Sequence, residues 1–181
     1  IEDVVIGAAL QQGTTNMNIA RTSLLRSGLP ASVPGQSMDR QCASGLMAIA
    51  TAAKQITGDG MMITIGGGVE QISLVQNEHM NVHRWNDAWL TERLPATYMS
   101  MIETAEIVSA RYGVSREAQD EYALQSQQRT AAAQLAGRLD AEIVPLRSIM
   151  SVKDKVSGEV LAKHVELTRD EGNRPDTTLA G

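Results

Sequence analysis

The feature that most constrains the fold of this chain is a segment from residue 43 to residue 56 that is apolar or small on nearly every side. Its apolar residues recur at helical spacing: Leu46, Ile49, Ala50, Ala53 and Ile56. The other faces of the same predicted helix are also apolar or small: Met47, Ala48, Thr51 and Ala52. A helix without a broad polar face is normally buried between layers of secondary structure. The segment therefore predicts a layered fold.

Short apolar strands surround this helix. We predict strands over residues 4–6 and 61–65, an extended stretch over residues 33–41, and a first helix that Asn16 or Asn18 caps and that ends near Ser27. The order strand, helix, strand, helix, strand is typical of a parallel sheet with helices on both faces. The sequence thus predicts an α/β fold for its first part.

The chain changes character after about Leu74. Residues 76–95 are polar and irregular, and they are followed by a capping-box pattern at Ser100 and Glu103. We predict a helix from this box to Gly113, a longer helix from Ser115 to about residue 136, a strand over residues 142–146 and a hairpin around residues 157–158. This part is predicted to be a separate α+β region.

Composition narrows the classes of function. The net charge is −5 and no basic cluster is present, which argues against a nucleic-acid-binding protein. Aromatic residues make up only 3% of the chain, so the core must be built from Ala, Ile, Leu, Val and the nine Met residues. The single cysteine cannot form an internal disulfide, which favours a reducing, cytoplasmic location.

The single cysteine, Cys42, lies at the predicted turn from a strand into the apolar helix. A thiolate forms most readily at a helix N-terminus, where unpaired N–H groups favour negative charge. Ser44 and Gly45 are small, so a substrate could approach the sulfur closely. We therefore consider Cys42 as a nucleophile that carries an acyl group.

The alternative is that Cys42 is a buried structural residue, since burial is the commonest state of a free cysteine. A nucleophilic thiol also needs a base, which is usually a histidine. His79, His83 and His164 are the only histidines, and none has a sequence context that indicates a catalytic partner. From the residues alone, both interpretations stay open.

His79 and His83 are four residues apart, and Glu78 precedes the first of them. On a helix this spacing can hold a metal ion. The surrounding segment is irregular and contains Trp85 and Trp89, which favours an ordinary surface loop. We predict no metal site in this chain.

Five motifs together resemble those of the thiolase family, and of the acetyl-CoA C-acyltransferases in particular. They are, in chain order, Arg40-Gln41-Cys42-Ala43-Ser44-Gly45, the stretch Gly66 to Ser73, the stretch Met101 to Glu106, the stretch Tyr112 to Asp120, and Glu142-Ile143-Val144-Pro145. The resemblance covers nearly the whole chain. It implies a layered thiolase-like α/β fold with an inserted loop domain.

The resemblance also implies a chemistry. Cys42 would attack a 3-ketoacyl-CoA, release acetyl-CoA, and pass the retained acyl group to a new CoA; the reverse reaction would join two acetyl-CoA molecules. The backbone N–H of Cys42 would donate to an oxyanion, and Met101 would lie beside the acyl chain, although Ile102 replaces a glycine often found there. No cofactor other than the CoA substrates, no metal and no membrane are implied. The family resemblance further implies a homodimer or homotetramer.

Thiolases also contain parts that these 181 residues do not show. The family begins with another strand and helix, and it continues into a second α/β half that carries an activating Gly-His-Pro histidine and a second cysteine. We therefore expect residues 1–75 to be part of the N-terminal domain, residues 76–181 to be the loop domain, and the C-terminal domain to be absent. On this interpretation the chain is a fragment that is inactive by itself.

Two other functions stay open at this point. A decarboxylating condensing enzyme of the same superfamily is the nearest alternative, but Ala43-Ser44-Gly45 after the cysteine favours a thiolase. A non-catalytic thiolase-like protein that binds acyl-CoA or lipid is the alternative from another class.

Overall fold

The structure is a computed structural model, and it describes residues 1–180. Its contacts divide the chain into two compact units, Ile1–Ala88 and the part from Trp89 onward. The family domain boundary that we expected after residue 75 stays a prediction. No helix within residues 1–180 is long and apolar enough to cross a bilayer.

The first unit is built on a three-stranded parallel sheet in the order β2-β1-β3. Its main elements are β1 (Asp3–Gly7), α1 (Ile19–Arg26), β2 (Gly35–Met38), α2 (Ser44–Thr57), β3 (Thr64–Gly68) and the short helix α3 (Ile72–Val75). The predicted first helix is confirmed, and Asn18 is its N-cap, because the Asn18 side chain accepts a hydrogen bond from the amide of Arg21. The α/β prediction is confirmed.

The two long helices of this unit cover opposite faces of the sheet, because successive side chains of β1 point to opposite sides. Val4 packs with Ala20 and Leu24 of α1. Val5, which is fully buried, packs with Ala48 and Ala52 of α2. Neighbouring valines of one central strand thus form the centres of two separate small cores.

Helix α2 matches the predicted helix, but the described chain covers it on one side only. Its buried residues are Ser44, Ala48 and Ala52. Leu46 and Ile49 on other faces are 71% and 53% exposed. The expected burial between two layers is therefore not formed within residues 1–180.

Glycines let α2 approach the sheet. The predicted strand over residues 61–65 lies instead at Thr64–Gly68, so it includes the glycine run from Gly66 to Gly68. A Cβ on Gly66 would lie 2.8 Å from the Cα of Ile49, and one on Gly68 would lie 2.9 Å from the Cα of Gly45. The backbones of α2 and β3 therefore pack tightly at Gly66 and Gly68, which explains glycine in a strand interior.

The second unit is mainly helical, with one hairpin. Its elements are α4 (Ala88–Arg93, whose first residue belongs to the first unit), α5 (Met101–Tyr112), α6 (Arg116–Leu135), β4 (Leu146–Lys153) and β5 (Val160–Leu167). The predicted capping box opens α5: Ser100 Oγ accepts from the amide of Glu103, and the Glu103 carboxylate accepts from the amide of Ser100. These bonds to Ser100 hold the pKa of Glu103 below its ordinary value. The stabilisation that these bonds provide is therefore complete at pH values above the ordinary pKa of a glutamate. It is lost as the pH falls through the lowered pKa of Glu103.

The predicted strand over residues 142–146 is wrong. A short 3₁₀ helix occupies Asp140–Glu142, and β4 begins only at Leu146. Pro145 has no backbone N–H to donate, so pairing starts after it. The predicted hairpin is confirmed, since β4 pairs antiparallel with β5 from Leu146 opposite Leu167 to Lys153 opposite Val160.

Candidate active site at the start of helix α2

A cleft of about 490 Å³ lies where the carboxyl ends of β1 and β3 meet the start of α2. Ligands of open parallel α/β sheets bind in crevices at the carboxyl ends of the strands. The cleft is lined mainly by small or polar residues from three segments of the chain. They are Gly7, Ala8, Ala9 and Leu10 after β1, then Gln41, Cys42, Ser44 and Gly45 at the start of α2, and Gly68, Val69, Glu70, Ile72 and Gln76 after β3. Cys42 is one of the lining residues.

Cys42 is exposed, and it lies two residues before the first residue of α2. The alternative of a buried structural cysteine is therefore not what the structure shows. The N-cap residue of α2 is Ala43, which has no side chain that can accept from the first-turn amides. The amides at the start of α2 are thus left without a side-chain cap beside an accessible thiol, which is an arrangement that favours negative charge.

The turn that carries Cys42 contains a residue with an unusual backbone. Gln41 has φ of 50°, in the left-handed region that non-glycine residues seldom occupy. Its amide donates to Asp39 Oδ1 at 2.7 Å, and its carbonyl accepts from Ser44 Oγ at 2.6 Å. The predicted sharp turn between strand and helix is confirmed, and hydrogen bonds hold it in place.

Glu70 is a site residue to which the sequence analysis gave no role. Its carboxylate accepts from the amide of Ala9 at 2.7 Å and from the amide of Leu10 at 3.3 Å. Both amides belong to the loop after β1, and all three residues line the cleft. One carboxylate thereby ties the loops that follow β1 and β3 to each other. The sequence placed Glu70 within the thiolase-like stretch Gly66 to Ser73, but no local pattern there indicates its partners.

The Glu70→Gln variant tests this connection. A glutamine has one acceptor oxygen for two amide donors, so we expect the amides of Ala9 and Leu10 to exchange with solvent faster. We expect a loss of about 1–2 kcal/mol in free energy of unfolding of the full-length protein, toward the low end for hydrogen bonds to a charged group, because Glu70 is exposed. Hydrogen exchange and denaturant unfolding measure the two effects.

The matched control is Glu78→Gln, because Glu78 is exposed and its described contact is a 3.6 Å approach to His79. Loss of an exposed charge of this kind should change the free energy of unfolding by less than about 0.5 kcal/mol. Equal effects of the two substitutions would contradict the role given to Glu70.

None of the three histidines lines the Cys42 cleft as the structure describes it. His79 and His83 lie in a loop, where their amides donate to the side chains of Asn77 and Asn81, and His164 lies on β5 of the second unit. The two loop histidines are therefore not on one face of a helix. No group of three or more possible metal ligands occurs within residues 1–180.

Met101 is the first residue of α5 in the second unit, and it is 75% exposed. The structure places it at the capped start of a helix, as the motif implied. Its role beside the acyl chain stays a prediction.

Comparison with known proteins agrees with this geometry. The family model described as "Thiolase, N-terminal domain" matches residues 1–181. The chain is 39% identical to a beta-ketoadipyl-CoA thiolase of Pseudomonas putida over 99% of its length and 46% of the relative's. It is 39% identical to a 3-ketoacyl-CoA thiolase of Bacillus subtilis over 98% of its length and 45% of the relative's.

Solved structures lead to the same family. The acetyl-CoA acetyltransferase of Bacillus anthracis matches with a TM-score of 0.78 and 33% identity, over 99% of this chain and 45% of that one. Human mitochondrial 3-ketoacyl-CoA thiolase in complex with CoA matches with a TM-score of 0.75 and 30% identity, over 99% and 44% of the two chains. The chain thus spans a little under half the length of these relatives. It belongs to the thiolase family and corresponds to the N-terminal domain of that family.

Proposed function

We propose that the full-length protein carrying this chain is an acyltransferase that cleaves 3-ketoacyl-CoA with CoA, or runs the reverse condensation, through an acyl-thioester on Cys42. The observation that carries the proposal is the placement of Cys42: an exposed thiol lines a cleft at the strand ends, directly before the uncapped start of α2. Relatives of similar sequence are named as 3-ketoacyl-CoA and beta-ketoadipyl-CoA thiolases.

In the proposed reaction the Cys42 thiolate adds to the C3 ketone carbon of the substrate. The bond between C2 and C3 then breaks, C2 keeps the electron pair and takes a proton, and acetyl-CoA leaves. The shortened acyl group remains as a thioester on Sγ. The thiol of a second CoA, after losing its proton, attacks this thioester and releases Cys42 as thiolate. The cycle consumes no redox equivalent, so it needs no redox cofactor, and we propose none and no metal.

Residues of this chain would supply the nucleophile, a hydrogen-bond donor to the oxyanion, and part of the acyl pocket. Oxyanions form when the thiolate adds to a carbonyl, and N–H donors fixed in advance stabilise them. We assign one such donor to the backbone of Cys42, at the turn into α2. We assign Met101 to the wall of the acyl pocket. The family resemblance also implies an activating base and a proton-transfer thiol, and we assign neither to these 181 residues. Their single cysteine is the proposed nucleophile, and none of their histidines lines the described cleft.

We further propose that the full-length protein acts in the cytoplasm as a homodimer or homotetramer. The free and exposed thiol of Cys42 supports a reducing compartment. The assembly itself is proposed from the family resemblance, because the exposed apolar residues of α2, among them Leu46 and Ile49, would be covered equally by the rest of the same polypeptide. Size-exclusion chromatography with light scattering measures the assembly.

The experiment for the proposed function is thiolysis by the full-length protein, with acetoacetyl-CoA and a longer 3-ketoacyl-CoA supplied with CoA. Formation of acetyl-CoA from both substrates supports the proposal. Condensation that depends on a malonyl thioester would instead indicate the decarboxylating enzyme. Binding of acyl-CoA without any turnover would indicate the non-catalytic alternative.

A further inference from the structure

The residue directly before Cys42 is held in a conformation that its chemistry disfavours. Gln41 has φ of 50°, where its Cβ crowds the backbone, and glycine would occupy this region without that cost. Such strain persists only where surrounding interactions impose it, and it is concentrated at functional sites. The question is therefore which groups impose it here.

Three hydrogen bonds fix the peptide units of Gln41. Its amide donates to Asp39 Oδ1 at 2.7 Å. Its carbonyl accepts both from Ser44 Oγ at 2.6 Å and from the amide of Ser44 at 3.0 Å. Both ends of the strained residue are thus anchored to side chains or amides within the same turn.

Ser44 does more than end this turn. Its Oγ also accepts from the amide of Arg40 at 2.8 Å, and it lies 3.5 Å from Asp39 Oδ1. The residue is only 4% exposed, although it lines the cleft. One buried hydroxyl therefore connects the backbone of Arg40 and of Gln41, the two residues before Cys42, to the first residue of α2. The hydroxyl proton of Ser44 is already donated to the Gln41 carbonyl.

The space around Ser44 admits little variation. A Cβ on Gly7 would lie 2.2 Å from the carbonyl carbon of Ser44, so β1 runs directly against the backbone at this point. The start of α2 is thereby fixed against the sheet on one side and against the turn on the other. The backbone of Cys42 is therefore held by the hydrogen-bonded turn before it and by the start of α2 after it.

We propose that Ser44 is a positioning residue for the acyl transfer, with Asp39 as its partner: together they hold Gln41 in the left-handed conformation and so fix the orientation of Cys42 toward the cleft. The inference rests on the proposed function, and it adds two residues that would act through the backbone of Gln41 and not on the reacting atoms. The sequence motif indicated only that position 44 is small; the structure indicates that its hydroxyl is what matters.

The first test is the Ser44→Ala variant of the full-length protein. Misplacement of a reacting group by about 1 Å can cost roughly 100-fold in rate, so we expect kcat for thiolysis to fall by about 10- to 100-fold. We expect KM for the ketoacyl-CoA to change by less than about twofold, because the Ser44 hydroxyl is nearly buried and makes its hydrogen bonds within the turn. Ser23→Ala on α1 is the control, since the Ser23 hydroxyl is exposed and makes no hydrogen bond that the structure records within residues 1–180.

The second test separates positioning from folding by restoring the backbone conformation. Glycine adopts a φ of 50° freely, so Gln41→Gly added to Ser44→Ala should recover most of the lost kcat. At Asp39, asparagine keeps the acceptor oxygen and alanine removes it, so Asp39→Asn should retain kcat and Asp39→Ala should lower it about tenfold. The Asp39 pair also covers the case in which Ser44→Ala does not fold, because Asp39 is exposed.

If wild-type protein catalyses thiolysis, either of two results would overturn the inference while the proposed function stands. The first is an unchanged kcat in Ser44→Ala, and the second is an equal kcat for Asp39→Asn and Asp39→Ala. If wild-type protein shows no thiolysis, the proposed function fails instead. The rate of Cys42 alkylation by iodoacetamide then carries the test: a slower rate in Ser44→Ala than in Ser23→Ala supports the inference, and equal rates contradict it.

Discussion

Replacing Cys42 by alanine is expected to reduce thiolysis by the full-length protein by at least about 10⁴-fold, because loss of a catalytic nucleophile leaves only the contributions of substrate binding and charge stabilisation. Cys42→Ser should be nearly as inactive, since an alcohol is far less acidic than a thiol and forms little of the attacking anion at neutral pH. Steady-state thiolysis of acetoacetyl-CoA measures both variants.

The control for this prediction is binding. Cys42 is exposed at the surface of the cleft and contributes no core contact, so both variants should fold and bind CoA with a dissociation constant within about threefold of wild type. Isothermal titration calorimetry provides that value. A Cys42→Ala protein that keeps more than a tenth of the wild-type kcat would refute a covalent role for this residue.

The second large effect is expected at Gly7. An alanine Cβ there would lie 2.2 Å from the carbonyl carbon and oxygen of Ser44 and 2.6 Å from the amide nitrogen of Gly45. Backbone atoms cannot rotate away, so either β1 or the start of α2 must move. We expect Gly7→Ala to lower the free energy of unfolding by about 3 kcal/mol or more, at the upper end of the cost of overpacking.

Gly67→Ala is the matched control on the neighbouring strand, because its added Cβ would meet nothing closer than Ile6 Cδ1 at 3.9 Å. We expect a change within about 1 kcal/mol, since only the conformational freedom of the unfolded chain differs appreciably. Urea unfolding of the full-length variants measures both. Similar stabilities for the two substitutions would show that α2 does not sit against β1 as described.

The local parts of this fold could be predicted from sequence because local physics determines them. The spacing of Leu46, Ile49 and Ile56 predicted α2, and the pair Ser100 and Glu103 predicted the start of α5 from capping alone. The turn at Cys42 could also be predicted, since a strand pattern changes to a helix pattern within a few residues. Each of these predictions needed only neighbours along the chain.

The errors arose where distant contacts decide the structure. The predicted strand over residues 61–65 stops short of the glycine run that ends at Gly68. This run lies inside β3, where α2 leaves no room for a side chain at Gly66 or Gly68. The strand predicted over residues 142–146 is also wrong, because Pro145 cannot donate a backbone hydrogen bond and pairing begins only at Leu146.

The candidate site was predicted only in part for the same reason. The motif singled out Cys42, but nothing local indicates that Glu70 binds amides sixty residues earlier in the chain, as the contact with Leu10 shows. Ser44 was noted for its small size, whereas the structure shows its hydroxyl bridging Arg40 and Gln41. Hydrogen bonds to specific backbone atoms are consequences of the folded geometry, and a motif does not state them.

The most direct test of the account is to look for the acyl group on Cys42. The full-length protein is mixed with acetyl-CoA in the absence of other acceptors, quenched in acid within a second, digested, and analysed by mass spectrometry. We predict an acetyl group on the peptide that contains Cys42, absent from Cys42→Ala and removed when free CoA is added before the quench. Thiolysis by a protein that never carries acetyl on this peptide, or carries it only on another residue, would contradict the account.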